Sequence, residues 1–304
     1  MYKNPKTALQ TVLEQLYDGK IYTRDSLAKA TGYAKFTVSK CLKRLISEGQ
    51  VTEGKSERLN TYQINPDLFH VATIEMYHIQ RYSFYEFKSF NLHHEVVADD
   101  FIEDMDERLD ALINEIKKFL EKDPLIKTLG ISVTAPVNNG TVFPGAISYM
   151  DNMNLKALLE ARFPIKAAIE NDANAAVIGY ISEHGDIDDA VLIYQPNNID
   201  IGVGIIINKQ LYKGRNGMTG ELKYYHTNEM GNAVTYLKDS LQRVILLLNP
   251  EKVLIHSLVL DHLEFVHHLE NIPEVMQPDV EVIKNIGTYF DAGLITLAIQ
   301  AYLN

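Results

Sequence analysis

The chain has 304 residues, which corresponds to two folded units at about 150 residues per domain. Hydrophobic residues make up 46% and charged residues 23% of the chain, a balance that excludes disordered and collagen-like proteins. No apolar run reaches the roughly 18 residues that cross a bilayer, and the first 20 residues lack the layout of a signal peptide. We therefore expect a cytoplasmic protein without a membrane partner.

Charge is divided unevenly along the chain, whose net charge is −11. Residues 1–66 hold eleven Lys or Arg against six Asp or Glu, whereas the remainder holds eighteen against thirty-four. A module of net charge +5 on a body of net charge −16 is typical of a protein whose module alone approaches a polyanion, because Lys and Arg near phosphates release counterions. Taken by itself, the uneven charge is also compatible with a chance distribution of charged residues that has no binding partner.

Metal and disulfide chemistry are limited by the cysteine count. Cys41 is the one cysteine, so the chain cannot form an internal disulfide or a cysteine-based zinc site. The adjacent pairs His93–His94 and His267–His268 do not have the spacing of ligands on a helix. The sequence predicts no metal and no cofactor.

The first segment predicts three helices followed by a hairpin. Apolar residues at helical spacing precede an Asp18–Gly19 turn, Thr23 is placed to cap a second helix, and Gly32 ends it. Residues 34–48 form a third helix whose apolar side faces inward and whose outer side is basic. Residues 50–64 then form two short β-prone runs around a polar tip, which is a candidate wing.

The basic third helix is the first functional candidate, because an α-helix fits the major groove and its outward side chains reach phosphates and base edges. A solvated face in a small protein-binding module is the alternative. Combined with the wing and the positive charge, the pattern favours DNA. The predicted DNA-binding residues are Lys35, Thr37, Ser39, Lys40 and Lys43 on the helix, and Lys55 and Arg58 on the wing.

A turn-rich joint at residues 65–67 separates this segment from a body in which strands alternate with helices. We place the boundary after residue 67, giving domains 1–67 and 68–304. The body is predicted to hold a three-stranded meander over 71–90 and 92–97, helices at 104–123, 154–162, 173–183, 231–247, 258–270 and 286–303, and strands at 128–135, 166–170, 190–195, 201–208 and 252–256.

The second functional candidate is the run ENDANAA at 170–176, which follows an apolar strand and opens a helix. A carboxylate and carboxamides at the carboxyl end of a strand can hydrogen-bond the vicinal hydroxyls of a small polar ligand. Asn and Asp are also favoured at helix N-caps for backbone reasons alone. Spacing does not choose between these two interpretations of Asn171 and Asp172.

These motifs together resemble the ROK family of bacterial sugar repressors and sugar kinases. The resemblance rests on the run from 23 to 49, on GISVTAPV at 130–137, ENDANAA at 170–176 and IGVGIIINKQLYKGRNGMTGEL at 201–222, with further similarity at 249–255 and 290–298. It implies an α/β fold in which an actin-like ATPase (ribonuclease-H-like) body of two lobes follows an N-terminal winged helix-turn-helix domain.

The resemblance also implies roles for residues of the body. Asp172 matches the aspartate that acts as base in ROK kinases, and Asn171 and Glu221 match residues that hold other sugar hydroxyls. Tyr224 stands where the family has a histidine, and Ile147 where it has a sugar-contacting asparagine. We predict a ligand site formed by Asn171, Asp172, Glu221 and Tyr224, with an altered sugar preference. If the effector is a sugar phosphate, Lys213 or Arg215 is a candidate holder of its phosphate.

The nucleotide side departs further from the kinases of the family. Their phosphate-binding Asp-x-Gly-Gly-Thr turn corresponds to residues 75–79, where Tyr77 and His78 would fill the space that glycine leaves open. Their second phosphate turn corresponds to residues 198–200, which ends on Asp200. Phosphoryl transfer requires that the protein position the phosphates and neutralise their charge, and these two segments are not suited to either task. We therefore assign no catalytic residue, and we predict that Asp172 is a ligand contact.

The sequence thus predicts a transcriptional repressor that binds operator DNA, senses a sugar or sugar-phosphate effector, and is not an enzyme. A homodimer is expected from the symmetry of operators. One alternative is a ROK sugar kinase that retains a DNA-binding arm. The other is a body that binds no ligand and serves as a scaffold for dimerisation or for binding a partner.

Overall fold

A computed structural model shows how these elements are arranged. It describes residues 6–56, 59–79, 82–103, 108–145, 148–197, 200–222, 233–259 and 272–304. The N-terminal module contains α1 (Ala8–Leu16), β1 (Tyr22–Thr23), α2 (Arg24–Thr31), α3 (Lys35–Ser47), β2 (Val51–Ser56) and β3 (Leu59–Ile64). Its strands form an antiparallel sheet in the order β1-β3-β2.

Local sequence signals explain where the helices of the module begin and end. The predicted cap is confirmed: the Thr23 side chain accepts a hydrogen bond from the backbone N–H of Ser26, and α2 starts at the next residue. Gly32 ends α2 with φ +72°, a left-handed conformation that favours glycine. The buried residues recur at helical spacing on each helix, as predicted for α1 and α3.

The first lobe of the body is built on a five-stranded sheet in the order β11-β7-β4-β5-β6. Its strands are β4 (His70–Ile79), β5 (Tyr82–Phe90), β6 (Val96–Glu103), β7 (Ile126–Val133) and β11 (Lys166–Asn171). As predicted for a meander, β4, β5 and β6 pair antiparallel in chain order, whereas β7 and β11 join in parallel. The third strand runs over Val96–Glu103 and not over the predicted 92–97, because a turn in which the His94 N–H donates to Asn91 O occupies the start of that run. Helices α4 (Leu109–Lys122) and α5 (Leu155–Arg162) supply apolar residues to the core against this sheet.

The second lobe has another five-stranded sheet, in the order β14-β13-β12-β15-β16. Its strands are β12 (Ala190–Gln195), β13 (Gly202–Ile207), β14 (Gln210–Leu211), β15 (Lys252–Ser257) and β16 (Asp279–Val282), and α7 (Ala233–Leu248) packs on it. A small sheet of β8 (Val137–Asn138), β9 (Thr141–Val142) and β10 (Met153–Asn154) lies beside the first lobe.

Two helices, α6 (Asp172–Glu183) and α8 (Gly287–Leu303), pack tightly against each other at the centre of the body. A Cβ on Gly293 would lie 1.9 Å from the carbonyl oxygen of Ala175, and one on Gly179 would lie 1.9 Å from that of Tyr289. Only glycine permits this approach of two backbones.

The far part of α8 belongs to a different core. Ile295, Ala298 and Ile299 are buried with apolar residues of α1, α2 and α3. The N-terminal module is therefore packed onto the body through α8, and the boundary predicted after residue 67 lies within one continuous apolar core.

The differences from the sequence prediction concern ends and short elements. The helix predicted to start at residue 104 starts at Leu109, while residues 104–107 and most of the helix predicted at 258–270 lie outside the described residues. The two-residue strands and β16 were not predicted, because so few residues carry no periodic pattern. None of the helices within the described residues combines the length and the apolar composition needed to span a bilayer.

Candidate functional site

A cleft of about 390 Å³ lies where β7 and β11 of the first lobe end and β13 of the second begins. This is the place at which α/β sheets usually bind small ligands. The described residues that line it are Thr134, Ala135, Pro144, Gly145, Asn171, Asp172, Tyr194, Pro196, Asp200, Ile201, Gly202 and Glu221. Three of the four predicted ligand residues, Asn171, Asp172 and Glu221, are thus brought together, and Tyr224 lies outside the described residues.

Asn171 and Asp172 reach the cleft because β11 ends there and α6 begins. The side-chain oxygen of Asn171 accepts a hydrogen bond from the backbone N–H of Asn174 at 3.3 Å, which caps α6, and its amide donates to Ala135 O at 3.3 Å. The Asp172 carboxylate accepts a bond from the Ala173 N–H at 2.7 Å and is only 9% exposed. The N-cap interpretation is confirmed for Asn171. Both residues also line the cleft, and their role as ligand contacts stays a prediction.

Glu221 is placed by a glycine-dependent backbone turn. Gly220 has φ +90°, and a Cβ there would lie 1.9 Å from the carbonyl oxygen of Val203. This close approach lets Glu221 form an isolated antiparallel bridge with Gly202, at the start of β13. The carboxylate of Glu221 is thereby carried to the side of the cleft opposite β11.

Electrostatics in and behind the cleft are dominated by carboxyl groups. Burial, followed by the nearby carboxylates of Glu86 and Asp291, raises the pKa of Glu75 to about 8. Burial likewise raises the pKa of the Tyr194 phenol far above its ordinary value, and Asp172 and Glu75 act in the same direction. Lys88 offsets part of this charge through 2.9 Å contacts with Glu86 and Asp291.

The segment that matches the first phosphate turn of kinases is a regular strand. β4 pairs with β5 from Val71 to Ile79, so the segment at 75–79 continues the ladder. The ring of Tyr77 stacks on that of Phe84 with centroids 5.3 Å apart. Of the second phosphate turn, Asp200 is described: its carboxylate accepts a hydrogen bond from the Asn197 amide at 2.8 Å and lines the cleft.

Several other residues that the sequence analysis singled out lie outside the cleft or outside the described residues. Lys213, a candidate holder of an effector phosphate, makes an ion pair at 2.9 Å with buried Glu170 instead. Glu170 also accepts hydrogen bonds from Asn171 N and Asn174 Nδ2, so this pair supports the start of α6. Ile147, residues 198–199 and the DNA candidate Arg58 lie outside the described residues.

The described DNA-binding candidates lie on the outer surface of the module, but they differ in exposure and in their contacts. Lys40, Lys43 and Lys55 are exposed, Thr37 and Ser39 are half-buried, and Lys35 is exposed but ion-paired with Asp25 of α2. The Lys35 ammonium lowers the pKa of the Asp25 carboxyl. Ser39 donates its hydroxyl to the backbone oxygen of Lys35 at 2.9 Å, which leaves the lysines as the most available polar groups.

The sequence interpretation missed Phe36, which is 82% exposed at the second position of α3. Helical spacing could have found it, because 100° per residue places position 36 opposite Val38 and Leu45, which form the buried face. Tyr194 was missed for a different reason. It lies in β12, a fully buried strand, and an apolar run in the sequence does not show which end of the strand lies at a cleft.

Comparison with known proteins finds similarity over much of the chain. Residues 88–235 match the ROK family. The chain is 30% identical over 236 residues to the xylose repressor of Caldicellulosiruptor bescii, an alignment that covers 71% of this chain and 58% of the repressor. It is 33% identical over 127 residues to the beta-glucoside kinase of Listeria monocytogenes, covering 40% and 42% of the two chains. The chain therefore spans little more than half the length of the repressor it matches.

Among solved structures, the chain resembles a ROK family transcriptional regulator that is described as a homologue of the Escherichia coli MLC protein. The TM-score is 0.71 with 17% sequence identity, and the match covers 96% of this chain and 98% of that one. The predicted α/β, actin-like ATPase fold of the body is thereby confirmed.

Proposed function

We propose that this chain, which contains a ROK family domain, is a DNA-binding transcriptional regulator that senses a sugar in its cleft without phosphorylating it. The observation that carries the proposal is the pairing of an exposed basic helix, α3, with a carboxylate-lined cleft in which β4 occupies the place of the phosphate turn. The N-terminal module then acts as a winged helix-turn-helix domain, with the β2–β3 hairpin as its wing.

The DNA-binding part of the proposal rests on geometry and charge. Lys40 and Lys43 follow Phe36 at intervals of four and seven residues, so the three side chains form one stripe on α3. This stripe faces away from the buried core of the module. A helix presented in this way enters the major groove, and its lysines then neutralise phosphates. Lys55 on β2 extends the basic surface to the hairpin.

The cleft favours a neutral sugar over a sugar phosphate. Its described lining holds the carboxylates of Asp172, Asp200 and Glu221, and no Lys, Arg or His among the described lining residues. Carboxylates accept hydrogen bonds from sugar hydroxyls. A phosphate in the same space would meet negative charge, at a cost of about 1 to 4 kcal/mol for unit charges about 4 Å apart.

The same observations argue against phosphoryl transfer. In a continuous ladder the backbone N–H groups of β4 that point toward β5 bond to its carbonyls rather than to phosphate oxygens. The stacked rings of Tyr77 and Phe84 add bulk where bare backbone would be needed. Without a bound phosphoryl donor, a sugar hydroxyl beside the aspartate that matches the kinase base has no phosphoryl group to attack. In the proposed function Asp172 therefore binds the sugar.

Coupling between the two sites is proposed to run through α8. Its first half packs with α6, which carries Asn171 and Asp172 into the cleft, and its second half packs in the core of the module. A change in the angle between the lobes on sugar binding would therefore move the module. In a homodimer, such a movement would change the distance between the two α3 helices. Because DNA half-sites lie about 34 Å or a multiple apart, that change would alter the affinity for DNA.

The proposal is tested by two measurements on the full chain. Duplexes selected from a random pool should converge on one sequence, and their affinity should fall steeply with salt. A thermal-shift screen of matched pairs of each sugar and its phosphate should show stabilisation by a neutral sugar and none by its phosphate. Failure to enrich any sequence would refute the DNA-binding function, and stabilisation by the phosphate alone would refute the assignment of the cleft.

The similarity to beta-glucoside kinase favours one alternative function, a sugar kinase that retains a DNA-binding arm. Release of ADP in the presence of MgATP and a panel of hexoses and glycosides separates the two. We expect no sugar-dependent release, and turnover within the ordinary range of about 1 to 1000 per second would establish the kinase. A scaffold without a ligand is the remaining rival, and it predicts that no sugar raises the melting temperature.

A further inference from the structure

Phe36 is an exposed aromatic residue on the outward side of α3. It is 82% exposed, although it belongs to an ordered helix whose opposite face is fully buried. Its position relative to Val38 and Leu45 places the ring at the point of the helix furthest from the core. No packing requirement of the module accounts for an aromatic side chain there.

Two polar side chains near Phe36 are held by contacts within the module. The ammonium of Lys35 is held by the Asp25 carboxylate, and the hydroxyl of Ser39 is donated to the backbone oxygen of Lys35. Thr37 is half-buried on the side of the helix nearer the core. The outermost group at the start of α3 is therefore an apolar ring, with Lys40 and Lys43 following it along the same stripe.

We infer that Phe36 is a specificity-determining contact that packs against the C5-methyl group of a thymine in the major groove, an inference that rests on the proposed DNA-binding function. The first residues of a recognition helix are those that meet base edges. The thymine methyl is the apolar group that a base pair presents in the major groove, and a phenyl ring matches it. Lys40 and Lys43 then lie further along the groove, where they reach phosphates.

The experiment uses the full chain and the duplex selected from a random pool. Each thymine is replaced in turn by deoxyuridine, which removes the methyl group and keeps the base pairing. We expect one thymine of each half-site to weaken binding about fourfold when replaced, the effect of losing one methyl-sized apolar contact. Affinity is measured by fluorescence anisotropy at one fixed salt concentration.

The variant Phe36→Ala should bind the thymine duplex more weakly and should lose nothing further on the deoxyuridine duplex. Phe36→Leu, which keeps apolar bulk, should retain part of the sensitivity. Ile21→Ala is the matched control, because Ile21 is also an exposed apolar residue of the module, 65% exposed, but lies off α3. It should keep the full sensitivity, and unchanged melting temperatures should show that all three variants fold.

The outcomes separate this inference from the proposed function. If the selected duplex shows no thymine whose methyl matters, or if Phe36→Ala suffers the same deoxyuridine penalty as the unaltered chain, Phe36 does not read a methyl group. Such a result leaves DNA binding itself in place. If no sequence is enriched at all, the DNA-binding function fails and this inference fails with it.

Discussion

The starts of α3 and α6 differ in a way that separates the two proposed sites. Helix α3 begins after Ala34 with no side-chain cap, and its first residues, Lys35 and Phe36, point into solvent. Helix α6 begins with the capping side chain of Asn171, and Asp172 is buried at the edge of a cleft. An exposed start presents side chains to a large partner, whereas a buried start can contact only a molecule that enters the cleft.

The buried start of α6 depends on its packing against α8, so a substitution at their crossing should have the largest effect. We expect Gly293→Ala to lower the free energy of unfolding by about 3 kcal/mol, because its Cβ would overlap the Ala175 carbonyl. Thermal denaturation followed by circular dichroism measures the change. Gly287→Ala on the same helix is the control, since its Cβ would meet only Asn285 Oδ1 at 3.4 Å; equal stability of both variants would contradict the packing described.

The second test concerns the ligand role of the buried start. Asp172→Asn keeps the size of the side chain and removes its charge, so it should weaken binding of the stabilising sugar about 10- to 100-fold, the worth of a hydrogen bond to a charged group. Isothermal titration calorimetry measures this affinity. Asp110→Asn, in the exposed first turn of α4, should leave it unchanged. Undiminished sugar affinity of Asp172→Asn would remove this residue from the site.

The third test concerns the exposed start. Lys40→Ala should weaken DNA binding several-fold and reduce the slope of log affinity against log salt by about one, because one phosphate contact is lost. Lys117→Ala, on an exposed face of α4 in the body, should leave the slope unchanged. A slope unaltered by Lys40→Ala would place this lysine away from the phosphates.

The fourth test concerns the Glu75 carboxyl group behind the cleft, whose effect depends on pH. Because the pKa of Glu75 is raised from 4.5 to about 8, the folded protein holds a proton that the unfolded chain releases, and stability falls as pH rises through this interval. Glu75→Gln should flatten that fall and raise the melting temperature by several degrees at pH 8.5, with little change at pH 5. Exposed Glu121→Gln should show no such effect, and an identical pH profile for Glu75→Gln would contradict the burial of this carboxyl.

The comparison also shows what the sequence could predict. The meander, the Thr23 cap and the long helices were predictable because periodicity and capping are local properties. The joining of Asn171, Asp172 and Glu221 in one cleft was predictable only from the family resemblance, because Glu221 lies about fifty residues after the other two in the chain. Spacing alone left the role of the α6 start undecided.

Other features depend on tertiary contacts that no local pattern encodes. The ion pair of Lys213 with Glu170 removes a candidate phosphate ligand from the cleft, and it joins residues on separate elements. The engagement of Lys35 by Asp25 similarly leaves Phe36 as the outermost side chain at the start of α3. Sequence identifies which residues are able to bind, and packing decides which of them remain available.

The central claim is that occupancy of the cleft controls the presentation of α3, and one measurement tests it most directly. The affinity of the full chain for its selected duplex is measured with and without the sugar that raises its melting temperature. We expect the affinity to change about fivefold or more, the lower end of typical allosteric coupling, and to the same extent with or without MgATP. An affinity that the bound sugar leaves unchanged, or that changes only when MgATP is present, would contradict the account.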